Sequence, residues 1–245
     1  MNETVIHIAQ TGLTSGLMGI NPIYWVILGG STLVSWLVGR RLKSKFAQYS
    51  QVPFPLSGRE VAEKMLRENG IDNVRVISTP GRLTDHYNPA DRTVNLSESV
   101  YNLNTVAAAA VSAHEVGHAV QHAKSYAWLG MRSKLVPVVG LASKMMGVLM
   151  MISFLAAGFF GNPWMMSLFV GAMAITTLFA FVTLPVEFDA SKRAMAWINE
   201  SGLTSSMGQD QAKDALHWAA MTYVVAALAS LAQLLYYIYL MLNRR

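Results

Sequence analysis

Four long apolar runs constrain this chain more than any other feature of it. Residues 22–39, 136–160, 163–186 and 217–242 contain no acidic side chain, and each approaches or exceeds the ~20 residues a membrane-spanning helix needs. The chain is 53% hydrophobic and only 13% charged, about half the charge of a typical soluble domain. The reading is a mainly α-helical membrane protein with about four transmembrane helices. Lys144 interrupts the second run, so that helix either starts on the membrane surface or turns the lysine toward the protein interior.

Basic residues orient the spans. None occurs in residues 1–39 or in the tight turn at Gly161-Asn162-Pro163. Arg40, Arg41, Lys43 and Lys45 follow the first span directly, and Lys192, Arg193 and Lys213 follow the third. Excess positive charge marks cytoplasmic loops, which puts the amino terminus outside and residues 40–134 and 187–214 in the cytoplasm. The net charge of +5 is then mostly topology, and no basic patch interleaved with aromatic residues points to nucleic acid. The first 20 residues lack the basic start and cleavage site of a signal peptide, so the first span is expected to be retained as an anchor.

The largest soluble stretch separates the first two spans. Ser57-Gly58-Arg59-Glu60 reads as a capping box opening a helix over 58–69, and residues 73–78 read as a strand. Residues 83–87 and 93–96, joined by Asn88-Pro89-Ala90-Asp91, read as a β-hairpin. A helix over about 105–124 follows, with Ser97 and Asn104 as candidate N-caps.

That last helix carries His114-Glu115-Val116-Gly117-His118. Four residues advance a helix by slightly more than one turn, so His114 and His118 share a face and offer two imidazoles to one ion. Glu115 stands beside them to act on a water at the metal. The chain has no cysteine, so a zinc site must be built from histidine and carboxylate.

A catalytic zinc keeps three protein ligands. Glu187 leads as the third, because a carboxylate at the exit of the third span needs a reason to be there. Asp189 is an alternative, as a ligand or as a partner of a histidine ring. His122 lies a turn beyond His118, too far along the axis for easy joint ligation from one straight helix, and reads more readily as a polar residue packed near the site. His86 and His217 are lone histidines.

Ala113-His114-Glu115-Val116-Gly117-His118-Ala119, Leu184-Pro185-Val186-Glu187-Phe188-Asp189-Ala190-Ser191 and the transmembrane pattern together resemble the bacterial YugP-like family of membrane zinc metallopeptidases, over nearly the whole chain. The likeness to the HtpX and CAAX-prenyl protease group is more distant and covers only the two motifs and their order. The resemblance implies one Zn²⁺ per chain on His114, His118 and Glu187, with Glu115 as catalytic base. It also implies a small cytoplasmic α+β zincin-like region, protein or peptide substrates, and a multi-pass place in a bacterial cell membrane. In the HtpX pattern an aspartate lies four residues after the glutamate; here that position is Ser191, which leaves the supporting role open between Asp189 and Ser191.

Peptide hydrolysis on such a site needs an oxyanion donor, for which Tyr223, His217, Tyr87 and Arg193 are available, and a strand edge such as the hairpin 83–96 to hold an extended substrate. Three other readings are open. The apolar stretch 106–113 before the motif suggests an intramembrane protease. An ion transporter is disfavoured by spans without acidic residues. A membrane scaffold that keeps the motif without turnover is the third.

Overall fold

A computed structural model describes residues 22–155 and 162–243. Helix α1 (Pro22–Tyr49) leads to α2 (Gly58–Glu68), strands β1 (Arg75–Thr79), β2 (His86–Asn88) and β3 (Thr93–Ser97), the single turn α3 (Glu98–Tyr101) and the motif helix α4 (Val106–Ala123). Three long helices complete the described chain: α5 (Ala127–Leu155), α6 (Pro163–Glu200) and α7 (Ser206–Leu242).

Helices α1, α5, α6 and α7 are long and apolar enough to cross a membrane. Much of their apolar surface has no protein cover: Trp25, Val26 and Leu33 on α1, Leu141 on α5 and Trp164 on α6 are all exposed. Surface of that kind, running along whole helices, is what a bilayer covers. Each helix outruns the apolar stretch that marks it. α5 begins at Ala127, nine residues before 136, and residues 156–160 of that expected span lie outside the described residues. Lys144 is exposed, so it does not turn into the protein interior.

Local chemistry sets the element ends. Ser57 and Glu60 close the capping box on α2: the Glu60 amide donates to Ser57 Oγ at 3.3 Å and the Ser57 amide to Glu60 Oε2 at 2.7 Å. Val61, Met65 and Leu66 on the inner face of α2 are at most 3% exposed, each worth about 1.5–3 kcal/mol of burial. They pack against α4, whose Val106, Ala108, Ala109, Ala110 and Ala113 are equally buried. All of the apolar stretch 106–113 but Val111, which is half-buried, is therefore covered by protein.

Two expectations are corrected here. Thr105, not Asn104, caps α4, its hydroxyl accepting from the Ala108 amide at 3.2 Å. Asn104 instead offers its carbonyl to the Phe54 amide at 2.9 Å, and the Val106 amide donates to the Val52 carbonyl at 3.0 Å. These bonds strap the chain leaving α1 onto the start of the motif helix. The expected hairpin is shorter on its first strand, since the chain bends through Leu83, at φ 59°, and pairs only from His86.

The sheet has the order β1-β3-β2, with β1 parallel and β2 antiparallel to the central β3. All five residues of β3 are buried, while β2 is left as an edge. Asp85 ties the start of that edge to β3, accepting from the Ser97 amide at 2.7 Å and the Ser97 hydroxyl at 3.1 Å.

Candidate active site

Helix α4 presents His114 and His118 on one face, and α6, which runs unbroken through Pro185, carries Glu187 to meet them. Close backbone packing makes the meeting possible. A Cβ placed on Gly117 would lie 2.6 Å from the Ala190 carbonyl oxygen, so the motif's glycine lets α4 and α6 approach where a larger residue would hold them apart.

Glu187 Oε2 lies 3.2 Å from His114 Nε2 and 3.6 Å from His118 Nε2. One donor atom from each of the three side chains falls within 4.8 Å of the others, and Glu187 is only 2% exposed. Ligands about 2.0–2.1 Å from a tetrahedral zinc sit about 3.3 Å apart, close to both observed separations.

The surrounding hydrogen bonds state what charge the site accepts. Gln121, fully buried on α4, donates its amide hydrogens to the Val186 carbonyl and to Asp189 Oδ2, both at 2.8 Å. Its oxygen therefore faces His118 Nδ1 at 3.0 Å and must accept from it. With the proton on Nδ1, the Nε2 lone pair of His118 points at a carboxylate oxygen, an arrangement that calls for a cation between them. Burial opposes charge on His118, yet its contact with Glu187 and the nearby Glu115 carboxylate outweigh this and raise its pKa above the ordinary imidazole value. A His₂Glu donor set of this geometry fits zinc.

His114 has its own partner, with Ser191 Oγ 3.1 Å from its Nδ1. Ser191 and Asp189 thus divide the supporting role: Ser191 touches a histidine directly, and Asp189 works through Gln121 while accepting from Arg193 Nε at 2.6 Å. Gln121 escaped the sequence reading. Its position three residues after His118, on the same helical face, is the signal that would have found it.

His122 stands apart from the cluster. It is exposed and shares a 2.7 Å hydrogen bond with the Tyr87 hydroxyl through Nδ1. Of the four expected oxyanion donors, Tyr223 and Tyr87 line the cleft at the cluster, whereas Arg193 is engaged by Asp189 and His217 packs edge-on against Trp218. Arg132 on α5, which no local sequence signal singles out, reaches the site with Nη1 3.8 Å from Glu187 Oε1.

The cluster opens into a cleft of about 280 Å³ on the side of β2 and α5. Asp85, His86 and Tyr87 form its strand wall, Arg132 and Ser133 its helical wall, and Glu115, 8% exposed, faces it together with His114, His118 and Glu187.

Residues 24–242 match the family model "Putative neutral zinc metallopeptidase". The chain is 40% identical over 207 residues to "Putative membrane protease YugP" of Bacillus subtilis (strain 168), covering 84% of this chain and 90% of that relative. No solved structure matches the chain. With the family model spanning residues 24–242 and the relative similar over 90% of its length, this chain belongs to the YugP-like family described as "Putative neutral zinc metallopeptidase".

Proposed function

We propose that the protein is a zinc-dependent endopeptidase of the cell membrane, cutting membrane-anchored or unfolded polypeptides next to the cytoplasmic surface. The observation that carries this reading is the meeting of His114, His118 and Glu187 around one point, with Glu115 facing the same cleft. His114, His118 and Glu187 would hold the metal. Zinc bound there supplies Lewis acidity, polarising a carbonyl and lowering the pKa of the attacking water toward about 7.

The chain's own residues do the rest. Glu115 accepts the proton of the water that attacks the peptide carbonyl carbon, then delivers it to the departing amine nitrogen, so that one carboxylate and one amine leave. Tyr223 and Arg132 stand at the cleft wall as donors for the oxyanion that develops on the carbonyl. The outer edge of β2 offers main-chain hydrogen bonds to an extended substrate, and Asp85 anchors that edge to the central strand. Through Gln121 and Ser191, the histidine rings are held in orientation before substrate arrives.

The basic residues that follow the apolar stretches, Arg40, Arg41, Lys43 and Lys45 in the last part of α1 and Lys192 and Arg193 near the end of α6, support an amino terminus outside and the cluster on the cytoplasmic side. Purified protein in detergent should contain one zinc per chain, lose it with His114→Ala, His118→Ala or Glu187→Ala, and cleave casein or membrane-protein substrates in a chelator-sensitive way. Full zinc retention in any of the three variants would remove that residue from the metal.

A further inference from the structure

The cleft described above is only one side of the cluster. A second cavity, of about 250 Å³, opens on the other side and shares Asp85, His114, Glu115, Glu187 and Tyr223 with the first. These shared residues, His114 and Glu187 of the candidate metal site among them, join the two lobes. Where the first lobe carries His86, Arg132 and Ser133, the second is walled by Leu42 and Phe46 of α1, Leu83, Val111 of α4, and Leu216 and Ala219 of α7.

The lining decides what the second lobe can take: outside the cluster its walls are mostly apolar, which suits an apolar side chain. A strand laid along β2 supplies such a side chain, because successive residues point to opposite sides of an extended chain. Leu83 strengthens the case. It is 70% exposed and held at φ 59°, a left-handed conformation that costs a leucine about 1–2 kcal/mol, and it presents its apolar side chain to this lobe.

We infer that the second lobe is a specificity pocket for one large aliphatic or aromatic side chain adjoining the scissile bond, in a substrate bound as an extended strand. The inference rests on the peptidase reading, since it needs a peptide at the cluster. Two walls come from candidate membrane helices, α1 and α7, so the pocket takes its residue where a polypeptide leaves the bilayer.

The test separates the pocket from the peptidase reading. Fluorescein-labelled decapeptides identical except for one central Leu, Phe, Ala or Asp are titrated into zinc-loaded Glu115→Gln protein in detergent, and binding is read by anisotropy. Leu and Phe peptides should bind roughly ten-fold or more tighter than Ala and Asp peptides, a difference in the range apolar pockets achieve. Ala219→Phe, which fills the lobe, should abolish the preference. Leu83→Asn, on an exposed loop and with a residue that tolerates left-handed backbone, should reduce it several-fold without burdening the fold. Equal affinities for all four peptides, or a preference unchanged in both variants, would overturn the pocket. The same peptides incubated with the unsubstituted protein report on cleavage: a binding preference that responds to both variants while nothing is cut supports the pocket and removes the peptidase, and cleavage without any preference does the reverse.

Discussion

Gly117 and Ala190 stand so close that a Cβ on the glycine would lie 2.6 Å from the alanine's carbonyl oxygen. Ala190 is three residues beyond Glu187 on α6, and Gly117 lies between Glu115 and His118 on α4, so this one approach sets the distance across which the candidate ligands meet. Gly117→Ala would gain up to about 1 kcal/mol in helix propensity. Against this stands an overpacked contact with backbone that cannot rotate away, which costs typically 1–3 kcal/mol. The expected result is a lower melting temperature in detergent and zinc content well below one per chain. A variant that keeps full zinc and melts higher would show that α4 and α6 do not depend on this contact.

Gln121 provides the second prediction. Gln121→Leu leaves the His118 ring without its Nδ1 acceptor and takes one of its donors from the Asp189 carboxylate, which keeps Arg193. Zinc affinity should fall by about 10–100-fold, the usual effect of losing an outer partner of a metal-bound histidine. His122→Ala, which touches only Tyr87 among the hydrogen bonds of this region, should leave the affinity unchanged. Competition against a zinc-chelating dye measures both, and equal affinities in the two variants would contradict the orienting role.

Much of this site was legible in the sequence, for physical reasons that differ by residue. His114, Glu115 and His118 are local: spacing on a helix places them, and the helix forms from Val106 to Ala123. Glu187 was legible because a carboxylate at the end of an apolar run has few alternatives. Arg132 was not, because only the crossing of α5 past the cluster brings it to Glu187, and nothing local reports that crossing. The hairpin reading caught β2 and β3 but not the parallel pairing of β1 with β3, a long-range contact between strands that read identically whether paired or not. Thr105 won the cap over Asn104 because Asn104's backbone is committed to Phe54, a tertiary bond no propensity encodes.

Glu68 links α2 to α6 by accepting from Trp197 Nε1 at 2.6 Å, and it pairs with Lys64 at 2.7 Å. The bonds from Lys64 and Trp197 hold its pKa below the ordinary glutamate value. A depressed carboxylate pKa means stability that is present above the unfolded-state value and lost as pH falls through the folded-state value. Glu68→Gln should therefore destabilise the protein at neutral pH by about 1 kcal/mol or less, given the exposure of the pair. The gap between the variant and the parent should close as pH drops below the ordinary glutamate range. Thermal melts of both proteins across pH 7 to 3 check this, and a gap that widens on acidification would contradict it.

Topology follows from where the basic residues lie. Reporter tags after Lys45 and after Gly208 should face the cytoplasm, and one at Asn162, the N-cap of α6, should face outside. Opposite labelling at Asn162 would invert the protein and put the metal cluster outside the cell.

Glu115 bears the central claim, because it stands beside the candidate ligands without being one of them and has no other assigned role. Glu115→Gln keeps size and hydrogen bonding while removing the base. The measurement is the cleavage rate of a purified membrane-protein substrate by zinc-loaded parent and variant, with zinc content and melting temperature determined on the same samples. The account predicts unchanged zinc and fold, a rate lower by about 10²-fold or more, and enrichment of uncut substrates on the variant in pull-downs from membranes. Equal rates in the two proteins, or no turnover by either together with equal substrate levels in cells, would contradict it and leave a zinc-binding membrane scaffold in its place.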